Sequence, residues 1–206
     1  MIAIIDYGVG NLLSVEKAFE FIGVTARVTS DKDEILSAQG VVLPGVGAFS
    51  DAMAQLKRDG LDLVVKQVAA QNKPLLGICL GQQLLFDYSE EGGTNEGLGI
   101  IKGKVVRFPA DMGLKVPHMG WNALQFPQKS KLFRGLPLNP YVYFVHSYYC
   151  VADNRDEVIA TVNYGVTADA AVCRGNIYAT QFHPEKSGTL GLDILRNFSA
   201  VVKEEK

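Results

Sequence analysis

Short apolar runs and segments with helical spacing alternate along the first hundred residues. The run IAIID at 2–6 predicts a buried strand, and the segment NLLSVEKAFEFIG after it carries apolar side chains at helical intervals up to Gly23. The other predicted strands lie at 24–30, 40–45 and 74–79, and the other predicted helices lie at 31–37, 48–71 and 80–91. This regular alternation predicts an α/β fold, with a doubly wound, mostly parallel sheet and helices on both faces.

The pattern becomes β-rich after about residue 100. Strand-like segments lie at 104–108, 141–151, 157–165, 170–175 and 177–184, and a last helical stretch runs from about 188 to 203. No repeat or low-complexity linker separates the two halves, so residues 1–206 are expected to form a single domain.

Composition and charge narrow the class of protein. The 206 residues are 48% hydrophobic and 20% charged, which is typical of a folded globular chain. A formal net charge of −2, without a Lys/Arg block, argues against nucleic-acid binding. The start MIAIID has no basic region and its apolar run ends at Asp6, so neither a signal peptide nor a membrane span is expected. The three cysteines are odd in number and far apart, which favours reduced thiols and a cytoplasmic protein.

Cys79 lies in the segment GICLG at 77–81, where a predicted strand becomes a predicted helix. A nucleophile at the end of a strand needs a tight strand-to-helix turn with small neighbours, which the two flanking glycines provide. The N–H groups and the dipole of the following helix would lower the pKa of the thiol. A free cysteine is more often a small buried hydrophobe, and that interpretation stands for Cys150 and Cys173, which lie in apolar strands without such a turn.

The segment QFHPE at 181–185 offers a base for that nucleophile. The strand IYATQF is expected to end at Pro184, and the i, i+2 spacing of His183 and Glu185 can leave a carboxylate beside the imidazole that it orients. A histidine in a turn is weak evidence alone. Together with the cysteine turn upstream, it predicts a Cys–His–Glu triad at strand ends of one sheet.

The glycine-rich segment LPGVGAF at 43–49 follows the third predicted strand. Its two glycines allow unusual backbone dihedrals and expose N–H groups, as a hole for a developing oxyanion requires. Alone, the segment would be a plain turn between a strand and a helix. Beside a nucleophile it is a candidate oxyanion loop.

Two other patterns are weaker. The Gly-x-Gly of DYGVGNLLS at 6–14, with Asp31 further on, outlines a dinucleotide fingerprint, but Leu13 occupies the position of the third glycine. The three histidines show none of the short spacings of a metal site. Neither a cofactor nor a metal ion is therefore expected.

The cysteine turn, the HPE segment and the glycine loop together resemble the class I (triad) glutamine amidotransferases, over the whole length of the chain. The resemblance implies a flavodoxin-like open sheet and hydrolysis of the glutamine side-chain amide, with Cys79 as nucleophile, His183 as proton carrier and Glu185 orienting His183. It also implies oxyanion donors and substrate contacts, namely the N–H groups of Val46 and Leu80 for the oxyanion and Gly47, Gln83, Glu91, Ser147 and Tyr148 for glutamine.

Four segments resemble one branch of that family more narrowly, namely DYGVGNL at 6–12, PGVGAF at 44–49, PHMGWN at 117–122 and YFVHSYY at 143–149. Members of this branch pass ammonia to a separate cyclase subunit of (β/α)8-barrel fold, which implies a heterodimer and a role in histidine biosynthesis. The residues that would face this partner around the ammonia entry are Asn11, Trp121, Tyr143 and Lys186. For Trp121 and Tyr143, the alternative is a place in the core.

Two other functions stay open from the sequence. The chain could be the glutaminase of a different amidotransferase, such as one serving pyridoxal phosphate or anthranilate synthesis. It could also be a Cys–His hydrolase that needs no partner. Ammonia release from glutamine, measured with and without a cyclase barrel, separates these functions.

Overall fold

Five parallel strands form the centre of the fold in the computed structural model, which describes residues 1–204. They are β1 (Ile2–Ile5), β2 (Ala26–Thr29), β3 (Gly40–Gly45), β4 (Leu75–Cys79) and β13 (Ile177–Thr180). Their order across the sheet is β2-β1-β3-β4-β13, and every neighbouring pair is parallel. Gly45 and Cys79 pair at the carboxyl ends of β3 and β4, so the glycine loop and the cysteine turn begin side by side.

Helices cover both faces of this sheet, which confirms the doubly wound prediction. They are α1 (Leu12–Phe21), α2 (Lys32–Ser37), α3 (Phe49–Arg58), α4 (Leu61–Ala70), α5 (Leu80–Leu84) and α6 (Gly188–Glu204). Helices α2, α3 and α4 pack with Ala3 and Ile5 in one core cluster, whereas α1 and α6 pack with Ile2 and Ile4 in another. The near-continuous apolar run of β1 is therefore explained by burial on both faces.

The second half is β-rich, as predicted, and its strands continue the same sheet. Its strands are β5 (Phe86–Ser89), β6 (Asn95–Glu96), β7 (Ile101–Arg107), β8 (His118–Gln125), β9 (Tyr141–His146), β10 (Tyr148–Ala152), β11 (Val158–Tyr164) and β12 (Val166–Arg174). Beyond β13 the order is β12-β10-β7-β5-β6, and β11, β8 and β9 branch from β12 as a series of antiparallel pairs. Within the described part of the chain, no helix is both long and apolar enough to cross a bilayer.

The helix predicted over 48–71 is two helices. Gly60 adopts a left-handed conformation with φ +67°, which ends the first helix and redirects the chain into α4. Buried side chains lie on both sides of the break, including Leu56 and Leu61, so the apolar spacing continues through it. Periodicity alone therefore does not reveal the turn.

The helix predicted over 80–91 is wrong beyond Leu84. The backbone becomes extended at Phe86, where β5 pairs with β7 and β6. Leu84, Leu85 and Phe86 are all fully buried, and a short apolar run of this kind fits a buried helix and a buried strand equally well. The strand β8 was not predicted either, because its alternation is interrupted by Gly120.

Candidate active site

Cys79 is the last residue of β4 and stands immediately before α5. Its backbone has φ +56° and ψ −110°, a conformation that residues other than glycine rarely adopt. Such strain persists only where the surrounding structure fixes it, and it is typical of a nucleophile on a strand-to-helix turn. The predicted location of the cysteine turn is confirmed.

The two glycines that flank the turn allow the helix to pack against the strands. A Cβ atom on Gly81 would overlap the carbonyl oxygen of Leu43, and a Cβ on Gly77 would lie 2.9 Å from the carbonyl oxygen of Gly81. The glycines were expected to be small so that they would not block the thiol. The structure gives them a different reason, since each lets backbone approach backbone beneath the cysteine.

His183 and Glu185 form the predicted pair. Nδ1 of His183 lies 2.7 Å from Oε1 of Glu185, and both side chains are almost completely buried. The strand β13 ends at Thr180, earlier than expected, and the histidine stands on a short connection before a 3₁₀ turn at Pro184–Lys186. Its backbone is held there because its N–H donates to the carbonyl of Tyr143.

The charge state of His183 reflects two neighbours. Burial lowers the pKa of His183, but its interactions with Cys79 and Glu185 outweigh burial and raise that pKa to about 10. Nε2, the ring nitrogen away from Glu185, has no hydrogen bond of regular geometry. The imidazole is therefore oriented by Glu185 on one side and interacts with the cysteine sulfur.

A cavity of about 430 Å³ opens in front of Cys79 and His183. It is also lined by every residue that the resemblance assigned to the oxyanion or to glutamine, namely Val46, Gly47, Leu80, Gln83, Glu91, Ser147 and Tyr148. Three further residues that were not predicted line it, namely Pro117, Val145 and His146. Residues from six separate segments thus meet in one concave site.

The candidate oxyanion donors come from two backbone segments. Leu80 is the first residue of α5, so its N–H is among those without a partner inside the helix. Val46 is 39% exposed and precedes Gly47, whose φ is +93°. These N–H groups belong to the two segments that begin side by side at the ends of β3 and β4.

The candidate substrate residues are themselves held by hydrogen bonds. Oε2 of Glu91 accepts from the N–H of Phe49, at the start of α3. Nε2 of Gln83 donates to the carbonyl of Tyr148 and to Oε1 of Gln181. Because these two bonds use both amide hydrogens of Gln83, its oxygen is the atom left to contact a ligand.

Two residues near the sulfur were missed. Nε2 of Gln181 points at Sγ of Cys79 from 3.8 Å, and the hydroxyl of Tyr7 donates to the carbonyl of Pro44 beneath the same turn. Burial and the nearby Cys79 raise the pKa of Tyr7, so its hydroxyl stays protonated. Gln181 directly precedes the segment FHPE, and that position was the available signal.

The other two cysteines differ from Cys79. Burial raises the pKa of Cys150, which is fully enclosed in β10, and raises the pKa of Cys173 to about 11. Thiols with raised pKa values are poor nucleophiles at neutral pH. Neither residue lines the cavity.

The four residues expected to face a partner do not line the cavity. Trp121 and Tyr143 are cross-strand neighbours on β8 and β9, with ring centroids 6.1 Å apart. Trp121 is 55% exposed, which excludes a place in the core, and Tyr143 is half-buried. Asn11 and Lys186 are exposed, and Asn11 directly precedes α1, which contacts the 3₁₀ turn that holds Lys186.

A family model described as glutamine amidotransferase class-I matches residues 3–201. The chain belongs to the class-I glutamine amidotransferase family. Among curated relatives, "Imidazole glycerol phosphate synthase subunit HisH" of Moorella thermoacetica is 54% identical, covering 98% of this chain and 95% of the relative. The protein of the same name from Listeria innocua is 48% identical, covering 100% of this chain and 98% of the relative.

Solved structures agree on the amidotransferase fold. "Structure of PurLQS from Thermotoga maritima" superposes with a TM-score of 0.76 at 17% identity, covering 98% of each chain. A putative GMP synthase subunit from Thermoplasma acidophilum superposes with a TM-score of 0.74 at 23% identity, covering 99% of this chain and 94% of the other. At such identities the likeness establishes the fold alone. The predicted family and fold class are confirmed.

Proposed function

We propose that this chain is the glutaminase subunit of an imidazole glycerol phosphate synthase, which hydrolyses L-glutamine to glutamate and ammonia for histidine biosynthesis. The observation that carries the proposal is the strained Cys79, which faces a cavity that it shares with His183. The relatives at 54% and 48% identity carry the name of such a subunit. We further propose that residues 1–206 act as one amidotransferase domain in the cytoplasm, without a cofactor or metal ion.

Formation of an acyl-enzyme is the first step of the proposed reaction. Sγ of Cys79 attacks the side-chain carbonyl carbon of glutamine while the thiol proton resides on Nε2 of His183. The carbonyl oxygen becomes an oxyanion, which the N–H groups of Leu80 and Val46 stabilise. Glu185 fixes the imidazole through Nδ1 and stabilises its positive charge.

Release of ammonia completes that step. The C–N bond breaks, His183 gives its proton to the leaving nitrogen, and a γ-glutamyl thioester stays on Cys79. Water then attacks the thioester carbon, with His183 taking one of its protons, and the C–S bond breaks. Glutamate leaves and the thiol regains a proton, so the site returns to its starting state.

The use of the ammonia requires a second polypeptide. Ammonium has no lone pair with which to attack, so ammonia must move to its acceptor without protonation. We propose that a cyclase subunit of (β/α)8-barrel fold forms a heterodimer with this chain and takes up the ammonia. Asn11, Trp121, Tyr143 and Lys186 would face that subunit, which agrees with the exposure of Asn11, Trp121 and Lys186.

A cysteine series tests the assignment of the nucleophile. Cys79→Ala should abolish glutamate formation from glutamine while the chain stays folded, because one sulfur is removed from the wall of a cavity. Cys173→Ala is the matched control and should retain activity, since that thiol lies outside the cavity. Glutamate is measured with the cyclase subunit present, and wild-type rates in Cys79→Ala would contradict the assignment.

A further inference from the structure

Four polar groups form a continuous hydrogen-bonded path from β8 to the cavity wall. Nδ2 of Asn122 lies 3.3 Å from Nε2 of His118, and Nδ1 of His118 lies 3.0 Å from Nε2 of His146. Nδ1 of His146 lies 2.8 Å from the carbonyl oxygen of Tyr148. His118 and His146 stand directly opposite each other on the antiparallel strands β8 and β9. This pair is called the histidine bridge below.

The groups at the two ends of the path determine which atom donates and which accepts in each hydrogen bond. The carbonyl of Tyr148 can only accept, so Nδ1 of His146 carries a hydrogen, and a neutral ring then leaves Nε2 as an acceptor. Nδ1 of His118 must therefore donate to His146. The remaining nitrogen of His118 accepts from the amide of Asn122. When both rings are neutral, each therefore carries its hydrogen on Nδ1.

The surroundings keep both rings in this state. His118 is stacked between Phe144 and Tyr164, with centroid distances of 4.7 and 4.0 Å, and Phe108 lies 5.2 Å from the ring of His146. Burial lowers the pKa of His118 to about 4 and that of His146 to about 3, so neither ring is protonated at neutral pH. His183, which lines the same cavity, acts in the same direction, because its charge further disfavours a proton on His146.

The inner end of the path reaches a group that the cavity depends on. The carbonyl of Tyr148 accepts from His146 and also from Nε2 of Gln83, 3.1 Å away. His146, Gln83 and Tyr148 all line the cavity. A change in the ring of His146 would therefore affect the carbonyl of Tyr148 and, through it, the side-chain amide of Gln83. The proposed function places that amide against glutamine.

The outer end lies on the strand that carries Trp121. Residues of β8 alternate, so Met119 and Trp121 point outward while His118 and Asn122 point to the inner side. We propose that His118 and His146 are positioning residues, which fix the Tyr148 carbonyl and the Gln83 amide for glutamine binding and tie them to the exposed strand β8. This inference rests on the proposed function, because it takes glutamine as the ligand of the cavity.

Ring tautomers give a direct test that needs no catalysis. The chain has three histidines, so ¹⁵N spectra of their rings can be assigned with single His→Asn variants. His118 and His146 should both be neutral with the hydrogen on Nδ1, the less common tautomer of a free ring. In the Cys79→Ala chain, which cannot turn over, glutamine should shift the signals of both rings. A hydrogen on Nε2 of either ring would overturn the inference.

Glutamine affinity separates positioning from a purely structural role. In the Cys79→Ala background, His118→Phe removes the donor to His146 and should raise the Kd for glutamine about 3- to 10-fold, the effect of one neutral hydrogen bond. His118→Asn keeps a donor near the site of Nδ1 and should restore affinity to within about 2-fold of the parent. Val142→Ala, on the same buried face of β9, should lower stability and leave the Kd unchanged.

The outcomes distinguish this inference from the proposed function. If glutamine binds and His118→Phe leaves its Kd unchanged, or if Val142→Ala raises the Kd equally, the bridge is only a buried structural pair and the inference fails. If His118→Phe does not fold, the tautomers and the glutamine-dependent shifts of the parent decide alone. If glutamine does not bind the Cys79→Ala chain at all, the proposed function itself fails.

Discussion

At the scale of single residues, the protonation state of each histidine follows from what surrounds its ring. His183 interacts with Cys79 and Glu185, which raise its pKa, whereas His118 and His146 are buried among aromatic rings, which lowers theirs. The His183–Glu185 pair and the cysteine turn could be predicted, because residue types, their spacing and their places at strand ends were sufficient. The histidine bridge could not, because the two rings meet only through the pairing of β8 with β9.

These pKa shifts predict opposite slopes of stability with pH. Above a pH of about 6.5, the ordinary pKa of an unfolded histidine, the native state keeps the proton of His183 that the unfolded state loses. The free energy of unfolding should therefore fall as pH rises from about 6.5 towards 10. Below 6.5 the unfolded state protonates His118 and His146 while the native state resists, so stability should also fall towards pH 4.

Urea denaturation across this pH range measures both slopes. His118→Asn should weaken the loss of stability on the acid side, because it removes one ring with a lowered pKa. Glu185→Gln should weaken the loss on the alkaline side, because it removes one group that raises the pKa of His183. A wild-type stability that is flat from pH 4 to 10, or variants with unaltered slopes, would contradict the assigned protonation states.

At the scale of elements, periodicity located the parallel strands and their helices but failed where two structures share one pattern. The run from Leu84 to Phe86 is buried on all sides, so its spacing does not reveal that the helix ends there and β5 begins. In the same way, the left-handed Gly60 interrupts 48–71 without interrupting its apolar spacing. Strand pairing and backbone handedness are set by tertiary contacts, which a single sequence does not display.

Two glycines of the site should respond differently to alanine. Gly81→Ala places a methyl group on the carbonyl of Leu43 and should lower the free energy of unfolding by about 3 kcal/mol or more. Gly47→Ala meets no atom within 4 Å and strains only a φ of +93°, so about 1–2 kcal/mol is expected. Its main effect should be on glutamine hydrolysis, because the Val46–Gly47 backbone would move. Denaturation and kcat measure the two effects, and equal stability of both variants would contradict the packing described.

At the scale of the whole molecule, one side of β8 is linked through His118 to the cavity wall, and the other side carries exposed apolar side chains. In the proposed function ammonia is released into the cavity, while Trp121 and Met119 are exposed on the other side of the strand. Exposed aromatic side chains are frequent anchors of protein interfaces. The identity of a partner does not follow from hydrophobic patterning, and only the resemblance of segments such as PHMGWN indicated one.

Trp121→Ala should weaken docking of the cyclase without unfolding the chain. An interface anchor is worth about 2 kcal/mol or more, so the Kd for the cyclase should rise about 30-fold. Because the indole is 55% exposed, the free energy of unfolding should change little. Leu63→Ala is the matched control, as that exposed side chain belongs to α4 on the other face of the sheet. Equal Kd values for both variants would place the interface elsewhere.

In the proposed complex, the ammonia made at Cys79 is the nitrogen that the cyclase consumes. The most direct test measures glutamate and imidazole glycerol phosphate in one reaction, with the cyclase and either the wild-type or the Cys79→Ala chain. Wild type should form the two products in equal amounts from glutamine. Cys79→Ala should form neither, yet should make imidazole glycerol phosphate at the wild-type level when ammonium salt is added at alkaline pH. If Cys79→Ala forms product from glutamine, or if ammonium does not rescue it, the cyclase does not depend on ammonia made at Cys79.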